Sequence, residues 1–202
     1  MNGLVLAAGA SRRAAGCKAL FAHDATSTRL EQTIETQRAA GIERIVVMLA
    51  APWERAIRRH LRDRSDITLV TNARPELGML GSVRAGLASL GRVDGLLVLS
   101  LIDHPDVHAS TLRALIDRAS SMDARCIVRP RFGSRHGHPI VIGAGAAHDL
   151  TGADTRVTLK HALSRVGVFD SLEVADGGVL QDLDGPTPSR DQRAPDAIAF
   201  AK

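Results

Sequence analysis

Apolar residues in this chain fall into short unbroken runs, separated by longer stretches in which they recur every three or four positions. Gly3–Ala7, Arg44–Leu49, Ile67–Thr71 and Gly95–Leu101 are such runs, and their length and branched side chains predict buried strands. Leu30–Ala40, Trp53–Arg62 and Leu80–Leu90 carry helical spacing instead. Thr28 with Glu31 three positions on predicts a capping box at the start of the first helix, and Gly41 its stop. Strand alternating with helix predicts a parallel sheet covered on both faces, a Rossmann-like three-layer α/β sandwich. The pattern changes after about residue 125, where "CIVRP" and "HPIVIG" read as two strands joined by a polar, glycine-containing loop. The later strands are therefore expected to be partly antiparallel. Helical spacing returns at Val157–Ser164, and weaker strand material follows at Leu172–Val179. Residues 188–202, rich in Pro, Asp and Arg, read as a tail on a single domain spanning 1–202.

Composition narrows the function. Four Phe, one Trp and no Tyr leave little for stacking on single-stranded nucleic acid. A net charge of +4 suits a small anionic ligand better than a polyanionic polymer. Two cysteines make no disulfide framework, Met1 leads straight into a strand without a basic leader, and no apolar run approaches a membrane span. These features predict a cytoplasmic protein with neither nucleic-acid nor membrane partners.

Ligands of such sheets bind outside the carboxyl ends of the strands, so polar residues just after a strand carry the most information. "LVLAAGASRRAAGCK" follows the first strand. It lacks the G-x-G-x-x-G of dinucleotide loops and the Gly-Lys-Ser/Thr of Walker loops. Small residues Ala7, Ala8 and Gly9 nevertheless let backbone approach a phosphate, while Arg12, Arg13 and Lys18 bring charge. "LLVLSLIDHP" places Asp103 just past another strand, where a carboxylate beside phosphates suits Mg²⁺. In "PRFGSRHGHPIVI" and just before it, Arg129, Arg131, Arg135, His136 and His138 form a basic rim suited to a second anion. His136 and His138 lack a second Cys or His pair nearby, which argues against zinc. In "GVLQDLDGP", Asp182 and Asp184 offer two further carboxylates, of which one is expected to reach a metal.

"LAAGASRR" with Lys18 resembles the L-A-[AG]-G-x-S-x-R-M-G-x-x-K loop of the MobA-like nucleotidyltransferases, with Ala15 and Cys17 departing from it. "NARPELGMLGSVRAGL", the Asp103-His104-Pro105 step, the Gly-His-Pro loop and "GVLQDLDGP" resemble further segments of that family in the same order. The Gly-His-Pro loop is most similar to the molybdenum cofactor cytidylyltransferase branch. The resemblance implies the nucleotide-diphospho-sugar transferase type of fold and Mg²⁺-dependent transfer of CMP from CTP to a phosphorylated acceptor. Ala8, where guanylyl members carry glycine, favours CTP, and the Gly-His-Pro loop favours molybdopterin as acceptor. Arg13, Lys18 and Asp103 would then be catalytic. Leu6, Ala7, Ala8, Gly9, Ser11 and Arg12 would hold the nucleotide from one side, and Gly78, Gly81 and Ser82 from the other. Arg135, His136, Gly137 and His138 would receive the acceptor, and Asp103, Asp182 and Asp184 the metal. Residues 1–105 become the nucleotide-binding half and 106–187 the acceptor-binding half. Guanylyl transfer, another acceptor such as a sugar or polyol phosphate, or a non-catalytic carrier delivering cofactor to a molybdenum hydroxylase apo-enzyme are the alternatives.

Overall fold

The structure, a computed structural model, describes residues 1–8 and 16–183. The elements run β1 (Asn2–Leu6), α1 (Arg29–Ala39), β2 (Arg44–Leu49), α2 (Glu54–His60), β3 (Ile67–Thr71), α3 (Gly78–Leu90) and β4 (Leu97–Leu101). There follow α4 (Ala109–Ser120), β5 (Cys126–Phe132), β6 (Arg135–His136), β7 (Ile140–Ile142), α5 (Ala144–Thr151), α6 (Leu159–Val166) and β8 (Val168–Glu173). The eight strands form one sheet in the order β3-β2-β1-β4-β7-β5-β6, with β8 on the other side of β5. Strands β1 to β4 are mutually parallel, β7 is antiparallel to both β4 and β5, and β8 returns parallel to β5.

The unbroken apolar runs are explained by two cores. Val5, Val47 and Val98 face α1, α2 and α4, whereas Leu4, Met48 and Leu97 face α3, α5 and α6. Alternate residues of each inner strand thus enter opposite layers, and each fully buried side chain contributes roughly 1.5–3 kcal/mol. Helix α1 begins as expected: Thr28 Oγ1 accepts from the Glu31 N–H, and Glu31 Oε2 accepts from the Thr28 N–H at 2.8 Å. Gly41, at φ 88, supplies the left-handed conformation that ends it.

Two helices, α4 and α5, add to those expected, and one strand is displaced. The strand expected at Leu172–Val179 lies at Val168–Glu173, in register with β5 from Cys126↔Val168 to Arg131↔Glu173. Beyond it Asp176 stops extension. Its buried carboxylate accepts from the Gly178 N–H (3.0 Å), the His108 N–H (2.9 Å) and Thr111 Oγ1 (2.7 Å), bending the chain into a 3₁₀ turn at Gly177–Leu180. The tail expected at 188–202 lies outside the described residues.

Candidate functional site

Strand order reverses at β1, which sends the chain outward through β2 and β3 and inward to β4. The carboxyl ends of β1 and β4, level at Leu6↔Leu101, therefore form the topological switch point where ligands of this architecture bind. The loop after β1 brings Lys18 and the loop after β4 brings Asp103. Lys18 opens a 3₁₀ turn closed by Leu20 N–H to Cys17 O (2.9 Å) and Phe21 N–H to Lys18 O (3.2 Å). Its Nζ lies 3.6 Å from Asp103 Oδ1, with the two side chains only 14% and 31% exposed.

Among the described residues, Asp103 Oδ1 is buried with no hydrogen-bond partner beyond this long ion pair. Burial pushes the Asp103 carboxyl above the usual carboxylate range; Lys18 opposes the shift and the nearby charge of Asp182 adds to it. The backbone draws Asp182 in, since the Leu183 N–H donates to the Asp103 carbonyl at 3.0 Å. An orphaned carboxylate oxygen beside a second, exposed carboxylate fits a hard divalent cation. Among the described residues no group of three His, Cys, Asp or Glu side chains is placed to hold a metal. The expected third carboxylate, Asp184, lies outside them.

The Gly-His-Pro loop divides. Arg135 and His136 are exposed on the β5–β6 hairpin, whereas His138 turns inward with its ring centroid 5.3 Å from that of His104. Gly137 makes this possible: its N–H donates to Pro130 O at 3.0 Å, and a Cβ there would collide with the Val179 carbonyl. That same carbonyl accepts from the His138 N–H at 3.0 Å. The rim is also less open than the sequence suggests, because Arg129 stacks 4.8 Å over Phe169 and Arg131 pairs with Glu173 at 2.6 Å.

Burial first, and His104 second, push the His138 imidazole down to about 4 from 6.5. Between those values the unfolded chain binds a proton that the folded protein refuses, so stability falls as pH falls through this window. The ceiling is about 3 kcal/mol at roughly 1.36 kcal/mol per unit. His138→Asn is expected to make urea-derived stability fall less steeply between neutral pH and pH ~5. An unchanged slope would mean that His138 titrates normally.

The other expected residues are placed as follows. Leu6 and Ala7 are buried and Ala8 is half-buried at the end of β1, where the Ala7 N–H is held by Met48 O at 3.0 Å. Gly78, at φ 68, opens α3. A Cβ on Gly81 would come within 2.5 Å of the Leu77 Cβ. Ser82 is buried, accepting from Asn72 Nδ2 at 2.9 Å and donating to Gly78 O at 3.4 Å, so its hydroxyl fastens the β3–α3 loop to the helix. Gly9, Ser11, Arg12 and Arg13 lie outside the described residues. Sequence reasoning assigned no role to Arg29, His104 or Asp176. His104 was visible in the Asp-His-Pro step, but nothing in the sequence indicates that its ring meets His138.

Residues 3–168 match the MobA-like NTP transferase domain, and the chain belongs to that family. Among curated proteins it is similar to nicotine blue oxidoreductase of Paenarthrobacter nicotinovorans, 30% identical over 195 residues and covering 91% of this chain and 92% of that protein. Among solved structures it is similar to Rv0371c of Mycobacterium tuberculosis H37Rv, with TM-score 0.73, 28% identity and coverage of 95% of this chain and 94% of that one. A manganese complex of Rv0371c aligns with TM-score 0.64 and 26% identity, over 86% of this chain and 87% of that one. A nucleotidyl transferase from Methanothermobacter thermautotroptrophicus shares the fold, at TM-score 0.74, 20% identity and 91% of both chains.

Proposed function

We propose that this chain transfers the cytidylyl group of CTP to a phosphorylated acceptor, with molybdopterin the acceptor its sequence favours. The observation that carries this reading is the meeting of Lys18 with a buried Asp103 carboxylate oxygen at the β1/β4 crevice. An acceptor phosphate oxygen would attack the α-phosphorus as the bond to pyrophosphate breaks in line. That phosphate is already ionised near neutral pH, so no side chain need act as general base. The task left to the protein is positioning and charge neutralisation. Lys18, and Arg13 of the same loop, would meet the phosphate charge, and the backbone of Leu6–Gly9 would approach the nucleotide opposite Gly78 and Gly81. Arg135 and His136 would draw the acceptor from the hairpin side, with Gly137 and His138 beneath. Asp103 and Asp182 would hold Mg²⁺, which when bound supplies electrostatic neutralisation of phosphate oxygens. The manganese complex of a relative supports a divalent ion. Two buried free thiols, Cys17 and Cys126, support a cytoplasmic setting.

Pyrophosphate release measured with CTP, GTP and ATP, each with and without molybdopterin, tests the assignment. CTP with molybdopterin is expected to exceed the other pairs by about tenfold or more in kcat/KM, a discrimination of roughly 1.4 kcal/mol or more. Equal thermal stabilisation by all three nucleotides would overturn the choice of CTP. The name of the curated relative favours a second reading, oxidoreduction of nicotine blue. Redox turnover of nicotine blue by the protein, with no pyrophosphate released from any nucleotide, would establish it instead.

A further inference from the structure

Among the described residues, Arg29 is the largest side chain with no solvent exposure. Burying a guanidinium is costly unless charge and hydrogen bonds meet it. The partners are specific. Its Nη1 donates to the Leu183 carbonyl at 2.6 Å, its plane lies 5.4 Å over the Phe21 ring, and Asp103, Asp106 and Asp182 surround it with negative charge. Its root is fixed, because Arg29 is the first residue of α1, within the Thr28–Glu31 capping box.

Leu183 is thereby gripped at both ends of one residue: Arg29 binds its carbonyl, and the Asp103 carbonyl binds its N–H at 3.0 Å. We infer that Arg29 is the positioning residue of the acidic site, latching Asp182–Leu183 to Asp103 and holding the two carboxylates together. Being fully buried, it touches no substrate and acts through the residues it holds. The inference rests on the proposed metal-binding role of Asp103 and Asp182.

Binding of Mn²⁺ alone, followed by calorimetry, separates position from charge. Removing a nearby cation should by Coulomb's law tighten Mn²⁺ binding. Losing the latch should weaken it, on the order of tenfold, as for other outer supports of metal ligands. Arg29→Met is therefore expected to weaken Mn²⁺ binding. In an Asp182→Asn background it should add nothing, since the residue it positions has lost its charge. Hydrogen exchange gives a reading independent of metal: the Leu183 amide should exchange about tenfold faster in Arg29→Met, while β1 and β4 amides keep their protection. Arg29→Lys keeps the charge but loses the planar fork, and carries both readings in smaller degree should Arg29→Met fail to fold. Tighter Mn²⁺ binding, an additive double variant, or unchanged Leu183 exchange would each overturn the inference. If the parent binds no Mn²⁺, the metal assignment falls with the positioning role built on it, and Leu183 exchange alone then decides whether Arg29 is a latch.

Discussion

Lys18→Ala is expected to slow nucleotidyl transfer by about 100- to 1,000-fold at saturating substrates, with nucleotide affinity changed much less. The magnitude is that of removing one preorganised charge or donor from a site where negative charge redistributes, about 2.7–4 kcal/mol. The ammonium is set for this by the 3₁₀ turn that carries it and by its 3.6 Å approach to Asp103, so little rearrangement accompanies reaction. A second signature follows from the same pair. Lys18 draws the Asp103 carboxyl down, against burial. Without it that carboxyl rises further, and the acid limb of the pH–rate profile should move to higher pH. Steady-state pyrophosphate release across pH, with calorimetric titration of CTP, checks both. Parent kcat in the variant would leave Lys18 as a structural partner of Asp103 alone.

Asp103→Asn is expected to lose about 100-fold or more of turnover and yet gain stability at neutral pH. Catalytic loss follows if the orphaned oxygen is the anchor for a divalent ion, since an amide offers the cation no charge. The gain follows from linkage. A carboxyl raised by burial holds its proton more tightly in the folded state, so stability is lost as pH rises through that value. Asparagine escapes this loss. The melting temperature of the variant should exceed the parent's by a few degrees at pH ~7, and the gap should close as pH falls through the carboxylate range. A variant that turns over at the parent rate would make Asp103 a mere strand-end residue.

How much of this was legible depended on what each residue contacts. The parallel half could be read because its strands are buried on both faces and appear as unbroken apolar runs. The position of Lys18 and Asp103 after two such runs was enough to bring them together. Helix α4 carries Leu112, Leu115, Ile116 and Ala119 on one buried stripe, a pattern that periodicity shows once sought. Helix α5, "AGAAHDLT", gives no such signal, because its buried face is made of Ala146, Ala147 and Leu150. Strand β8 is half-exposed along its length, so its mixture of Val, Phe, Asp and Ser resembles a loop. Arg29 was hidden for another reason. An arginine opening a capped helix reads as a solvated charge, and its burial depends on Leu183, 154 positions away.

The β5–β6 hairpin meets the parallel half of the sheet through one short strand, β7, whose three pairs with β4 are Leu97↔Ile142, Val98↔Val141 and Leu99↔Ile140. Past the last pair with β6, the turn from Phe132 to Arg135 stands in solvent, anchored behind by β5's own pairing with β7 and β8. Insertions or replacements at that tip leave every pairing register intact. Selection could therefore rewrite what this edge of the protein recognises while the crevice at β1 and β4 stays unaltered, and an engineer exchanging hairpins between relatives would be following the same seam.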